Sequence, residues 1–224
     1  MEDARAYEEL RVGFTAAVSH ELRTPLARLM ALLDSAGLPG ADQSDLLAQA
    51  RQEVEEMTEL VNDVLFLSEL ESGREVVALG ETRALPVLEE VRDGLADSAE
   101  RADVTIRVEA DPADVGLLLR RRMLHTIVEN LAQNAIRYAG PGSTLTLAAR
   151  PALLAVSDDG RGVEKEELPR LFERFYRSDR ARASRGTGLG LAIVKHVVAS
   201  AGGEIEASGG PGRGLRIVCR FPAP

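Results

Sequence analysis

The stretch "AAVSHELRTPLARL", Ala16 to Leu29, decides how the first third of the chain folds. Around it Phe14, Val18, Leu22, Leu26, Leu29 and Leu33 recur at three- and four-residue steps, the period of an amphipathic helix. At about 100° per residue, Phe14, Leu22, Pro25 and Leu29 share a face with Val18, and His20 falls on the opposite one. Thr24 lies one turn beyond His20 on that same outer face, and Glu21 lies between His20 and the apolar seam. The pattern therefore predicts a helix that offers an imidazole to solvent with a carboxylate beside it. Such a carboxylate holds the proton of one ring nitrogen and leaves the other as a nucleophile. Pro25 removes a backbone hydrogen bond near His20 and loosens the helix there.

Outward from this stretch, Gly37, Pro39 and Gly40 break the helix. A second helical run places Leu47, Ala50, Val54, Met57, Val61 and Val64 in a heptad seam, and Gly73 ends it. Two helices and a short loop make a hairpin, whose two apolar stripes are hard to bury alone. Pairing two hairpins into a four-helix bundle buries them, which predicts a homodimer. The alternative is a hairpin that packs on the rest of its own chain.

The pattern changes at about Val76. Residues 85–102 read as a helix, 104–108 as a short strand and 117–138 as a long helix. Residues 144–149 and 153–156 read as paired strands around Pro151, 188–200 as a helix, and 204–207 and 214–221 as closing strands. Strands and helices without strict alternation predict an α+β sandwich, one mixed sheet under a helical layer. The expected organisation is thus residues 1–75 as a helical hairpin and 76–224 as a sandwich domain. Between them and the last helix, "YRSDRARASRGTG", Tyr176 to Gly188, is polar and Arg-rich and reads as a loop.

Composition narrows the function classes. The chain has 224 residues, 45% hydrophobic and 28% charged, as a globular protein has. A formal charge of −9 argues against broad nucleic-acid binding, which wants a basic face. A single cysteine, Cys219, permits neither an internal disulfide nor a cysteine metal cluster. No apolar run is long enough to span a bilayer and no signal peptide is visible, so an intracellular chain is expected. His125 and His196 have no second ligand at metal spacing and read as structural.

Five stretches, in order, resemble the sequence boxes of sensor histidine kinases. "SHELRTPL" (Ser19 to Leu26) is similar to the H box and "NLAQN" followed by "AIRY" to the N box. "DDGRG" resembles the first glycine box, "FERF" the F box and "GTGLGLAIV" the second glycine box. The resemblance runs from about Phe14 to Phe221. It implies a dimeric phosphoacceptor hairpin followed by an ATP-binding sandwich.

Each box has a physical reading alongside. Asn130 and Asn134 are four residues apart and share a helix face with Arg137. A neutral amide oxygen suits Mg²⁺ when phosphates supply the charge, and the resemblance gives that role to Asn134. It sets Asn130 beside the nucleotide, Arg137 on phosphate and Tyr138 against adenine or ribose. It assigns Asp158 to the exocyclic amine of adenine, with Gly160 and Gly162 letting the backbone approach the base. Gly186, Gly188, Leu189 and Gly190 lead into a helix N-terminus that presents backbone N–H groups to phosphate. The loop before them carries Arg177, Arg180, Arg182 and Arg185, and Arg185 is placed near the γ-phosphate. Phe172 and Phe175 would pack at the base of that loop.

The implied reaction is ATP-dependent phosphorylation of His20, with Glu21 as acid–base partner, then transfer to an aspartate on a response regulator receiver domain. Arg28 and Leu29 would lie on the docking surface. Thr24 is placed to hold a water for dephosphorylation of that regulator. The expected cofactors are ATP and Mg²⁺. The expected setting is cytoplasmic, with a membrane reached only through a sensor region that this chain lacks. Two other classes share these features: an ATP-driven conformational clamp, and a dimeric scaffold without kinase activity.

Overall fold

A computed structural model describes residues 2–38, 42–72, 80–110, 116–178 and 186–223, without the side chains of 2–14. The chain splits into two compact units that part between Ser68 and Glu69, with Gly186 and Thr187 grouped with the first. The expected loop residues Pro39 and Gly40, the stop at Gly73 and the expected boundary at 75 lie outside the described residues.

The first unit is a helical hairpin. Helix α1 spans Glu2–Ala36 and carries Pro25 within it. Proline has no N–H, so the carbonyl of Glu21, four residues back, loses its helical donor beside His20. Helix α2 spans Gln43–Glu71. Asp42 caps it: its Oδ1 accepts from the Ser44 N–H at 3.1 Å and the Asp45 N–H at 3.2 Å. Arg28 of α1 and Glu53 of α2 approach to 3.7 Å.

The heptad seam read from the sequence divides into two in three dimensions. Val18, Leu22, Pro25 and Leu29 on α1, and Ala50, Met57 and Val64 on α2, are half-buried. Leu26, Met30 and Leu33 on α1, and Leu47, Val54, Val61 and Leu65 on α2, are exposed. Leu47, Val54 and Val61 repeat every seven residues, so they form one line along α2. All the large exposed apolar side chains among the described residues lie in this hairpin or at Leu38 just after α1.

The second unit is the sandwich. Strand β1 (Thr82–Arg83) leads into α3 (Ala84–Gly94) and α4 (Ala96–Arg101). One helix was expected here; it breaks at Leu95 (φ −102°, ψ 3°), directly after Gly94, the poorest former in the run. Strand β2 (Val104–Ala110) and the short β3 (Gly116–Leu117) precede α5 (Arg121–Tyr138). Strands β4 (Ser143–Arg150) and β5 (Leu153–Asp158) follow, then a 3₁₀ turn at Leu168–Arg170 and helix α6 (Gly190–Ser200). Strands β6 (Glu204–Gly209) and β7 (Leu215–Arg220) close the fold.

The main sheet has the order β2-β4-β5-β7-β6. Its β2–β4 pair is parallel and the others are antiparallel. The parallel pair needs a crossover, and α5 supplies it. A second, two-stranded sheet joins β1 to β3, which the sequence pattern does not signal. The α+β expectation therefore holds. The core lies between the sheet and α3, α5 and α6. Helix α5 buries Met123, Ile127 and Leu131 at four-residue steps, with Leu124, Val128 and Ala135 beside them. Helix α6 buries Ile193, Val194, Val197 and Val198. The sheet answers with Leu145, Leu147, Leu154, Val156 and Ile217, nearly all aliphatic. Each such side chain contributes about 1.5–3 kcal/mol when fully buried.

Candidate functional site

Helix α5 positions the polar residues because its buried stripe fixes its rotation. With the stripe against the sheet, Asn130 and Asn134 stand half-buried at its flank. The Asn130 Nδ2 donates to the Thr126 carbonyl at 2.8 Å, which orients its Oδ1. A Cβ at Gly190 would lie 2.5 Å from that oxygen. Glycine at this position is thus what allows α6 to begin directly over Asn130. Asn134 takes no hydrogen bond among the described residues, so its amide oxygen is available to a ligand. Arg137 is exposed and Tyr138 half-buried, one turn further along.

The loop after β5 reaches the other end of α5. The Arg161 N–H donates to the Ala139 carbonyl at 3.0 Å, and a Cβ at Gly160 would come within 2.5 Å of Ala139 Cα. The Asp158 carboxylate accepts from the Gly160 N–H at 2.9 Å, and the Leu215 N–H also acts on it electrostatically. Burial raises the Asp158 pKa above the usual carboxylate range; those N–H groups pull it down and neighbouring Asp159 pushes it up. Asp159 itself accepts from the Thr144 N–H at 2.6 Å and so ties the loop to β4.

Helix α6 starts at Gly190 with no side-chain cap on its first turn. Uncapped N–H groups and the helix dipole favour an anion there. Phe175, in the expected loop base, has φ 61° and donates its N–H to the Gly188 carbonyl at 3.0 Å. Phe172 is half-buried nearby in sequence. Arg170 stacks over Tyr176 at 4.3 Å from the ring centre. Gly186 has φ 133°. Arg180, Arg182 and Arg185 lie outside the described residues.

The structure therefore gathers Asn130, Asn134, Arg137, Tyr138, Asp158, Gly160 and Gly190 on or against α5. The backbone of Leu215, which acts on the Asp158 carboxylate, went unread in the sequence, because a backbone dipole leaves no mark on residue type.

In the hairpin unit, His20 is 74% exposed and its Nδ1 lies 3.5 Å from Glu21 Oε1. Its Nε2 meets no protein group among the described residues. Thr24, one turn on, is also exposed. His125 sits instead between carboxylates, 3.4 Å from Glu129 and 3.9 Å from Glu90. Cys219 is buried, and burial pushes its thiol up to about 12, well away from a reactive thiolate. Among the described residues no three His, Cys, Asp or Glu side chains converge on a metal position, and no helix is long and apolar enough to cross a membrane.

Comparison with known proteins gives two successive domain matches. Residues 10–73 match the His Kinase A phospho-acceptor domain. Residues 119–224 match the histidine kinase-, DNA gyrase B- and HSP90-like ATPase domain. The chain is 35% identical to the sensor-like histidine kinase SenX3 of Mycobacterium tuberculosis over 231 residues, covering 99% of this chain and 56% of that protein. It thus spans about half the length of the curated relatives it matches. The histidine kinase AdeS of Acinetobacter baumannii has the same architecture, with TM-score 0.74, 25% identity, and coverage of 90% of this chain and 97% of that one. Full-length ShkA in complex with AMPPNP gives TM-score 0.62 at 28% identity, covering 93% of this chain and 46% of ShkA.

Proposed function

The chain belongs to the sensor histidine kinase family, and we propose that it phosphorylates His20 from ATP and passes the phosphoryl group to an aspartate of a response regulator. The observation that carries the reading is the outward-facing His20 with a carboxylate at its Nδ1. It occurs in a chain whose sandwich gathers an amide-bearing helix face, an adenine-type acid and an uncapped helix start.

ATP enters as the substrate. Asp158 would accept from the 6-amine of adenine, with Tyr138 against the base or ribose. Gly160 and Gly162 act one step back, letting the loop close on Ala139 and on the Gly210 carbonyl so that Asp158 would meet the base. The first N–H groups of α6 and the Arg137 guanidinium suit phosphate oxygens. ShkA was solved with an ATP analogue, which supports a nucleotide at the equivalent surface. The amide oxygens of Asn130 and Asn134 fit Mg²⁺: they are neutral, four residues apart, and one is oriented by a donated hydrogen bond. Asn134 would hold the ion, which offsets charge on the transferring phosphoryl group.

Glu21 holds the Nδ1 proton and keeps the Nε2 lone pair outward. Nε2 bonds to the γ-phosphorus as the bond to the β–γ bridging oxygen breaks and ADP leaves. The Nδ1 proton then moves to Glu21, leaving a neutral phosphoimidazole. The carbonyl of Glu21, unpaired by Pro25, gives the helix local freedom at the reacting residue.

The reading extends to three further roles. Residues 1–75 would form the phosphoacceptor hairpin and 76–224 the nucleotide domain. The exposed apolar line of the hairpin supports a homodimer. The Thr24 hydroxyl, on the His20 face, would hold water for dephosphorylation of the regulator, whose docking surface includes Arg28 and Leu29.

The test is incubation with γ-labelled ATP. Wild type is expected to acquire an acid-labile, alkali-stable label, and His20→Gln none. ATP binding without label on wild type would overturn the kinase reading and favour an ATP-driven clamp. Absence of ATP·Mg²⁺ binding at millimolar concentration would favour a scaffold.

A further inference from the structure

We infer that the glycine-rich turn between β6 and β7, Gly209 to Gly214, is a positioning element for base recognition, holding the Asp158 carboxylate so that the site selects adenine over guanine. The inference rests on the nucleotide reading above. It deepens that reading by assigning specificity to a segment that touches no phosphate and carries no acid.

Four observations converge on the turn. The Gly214 N–H donates to the Gly160 carbonyl at 3.0 Å, and the Gly212 N–H to the Arg161 carbonyl at 2.7 Å. These two bonds run from the turn to the loop that follows Asp158. The Leu215 N–H, where the turn re-enters β7, also acts electrostatically on the Asp158 carboxylate. Finally, the two backbones touch. A Cβ at Gly214 would overlap the Asp158 carbonyl, 2.7 Å from its carbon and 3.0 Å from Asp159 Cα. From the other side, a Cβ at Gly162 would lie 2.8 Å from the Gly214 carbonyl oxygen. The two segments are packed backbone to backbone.

The chemistry follows from donors and acceptors. A carboxylate only accepts. Adenine presents a 6-amine, which donates; guanine presents a 6-carbonyl, which accepts and is repelled. Discrimination of this kind requires the carboxylate to be held in place, because a mobile one turns away from the wrong base. Asp158 takes one hydrogen bond on its own loop, from Gly160, and the turn packs against its backbone carbonyl and bonds the loop that follows it.

The experiment measures binding of ATP·Mg²⁺ and GTP·Mg²⁺ to the full chain by calorimetry, with the ATP-to-GTP affinity ratio as readout. Gly214→Ala is expected to lower that ratio by roughly 10- to 100-fold, the cost of a misplaced buried hydrogen bond, while GTP affinity stays near wild type. Gly142→Ala, outside the turn, is the matched control. It has φ +77°, so alanine strains the backbone similarly, but no atom lies within 4 Å of its Cβ. Its ratio should remain within about twofold. If Gly214→Ala does not fold, Gly209→Ala presses on the Gly214 carbonyl from within the turn and should lower the ratio likewise. Asp158→Asn separates the two levels of the argument. If Asp158→Asn collapses the ratio and the glycine variants do not, the turn has no positioning role. If Asp158→Asn leaves the ratio unchanged, the assignment of Asp158 to adenine fails instead.

Discussion

If Val54 and Val61 lie at a contact between two hairpins, trimming both to alanine should weaken the dimer by an amount the structure sets. The two side chains are 48% and 43% exposed in the single chain. Each Val→Ala change removes two methyl groups, worth about 0.8 kcal/mol each on complete burial. About half of that burial already exists within one chain, so association supplies roughly 0.8 kcal/mol per residue. A two-fold interface uses each position twice, giving about 1.6 kcal/mol per position and about 3 kcal/mol for the pair. That corresponds to roughly a 200-fold rise in the dimer dissociation constant. Sedimentation equilibrium over a concentration series measures it directly. Met57→Ala serves as the contrast, since Met57 is half-buried in the hairpin's own seam. It should lower thermal stability more than it changes association. An unchanged dissociation constant for the Val54→Ala, Val61→Ala variant would show that the exposed line is not the contact.

Three further outcomes are expected. Gly190→Ala should weaken ATP·Mg²⁺ binding by about 10-fold or more, because its Cβ meets the Asn130 oxygen and a displaced buried acceptor costs about 1–3 kcal/mol; calorimetry checks it. Asp158 is raised by burial, so protonation favours the folded state. Its contribution to stability is complete below the unfolded carboxylate value of about 3.9 and is lost as pH rises through the higher folded value. Thermal unfolding of the nucleotide-free chain from pH 4 to 8 should therefore show a declining component that Asp158→Asn removes. Thr24→Ala should leave His20 labelling within a few-fold of wild type and slow dephosphorylation of a phospho-regulator by roughly 10- to 100-fold. Equal loss of both activities would make Thr24 structural.

The sequence carries the architecture where a single period dominates. Helix α5 was legible because Met123, Ile127, Leu131 and Ala135 repeat on one face, and β4 and β5 because turn residues around Pro151 bracket two apolar runs. The hairpin seam was legible as a set but not as two lines. Ala50 and Val54 are both apolar at heptad-like steps, and only the three-dimensional crossing of α1 and α2 makes one half-buried and the other exposed. The break at Leu95 was missed because Gly94 inside an otherwise helical run is usually tolerated. The site residues with distinctive chemistry were readable by type and spacing. The Leu215 N–H and the packing of Gly214 on Asp158 were not. Both are properties of backbone proximity between segments more than fifty residues apart.

The hydrogen bond from Phe175 to Gly188 has an evolutionary corollary. It fastens the two ends of the intervening chain beside strands that are paired by other means, β5 with β7 and β7 with β6. The ends are therefore brought together by the scaffold whatever lies between them. Doubling the length of a flexible connection adds only about 0.6 kcal/mol of closure entropy. Changes of length at residues 179–185 should thus cost little in folding, whereas Tyr176, stacked under Arg170, belongs to the scaffold. Residues 179–185 are a stretch in which descendants of one gene could diverge without redesigning the domain that carries it.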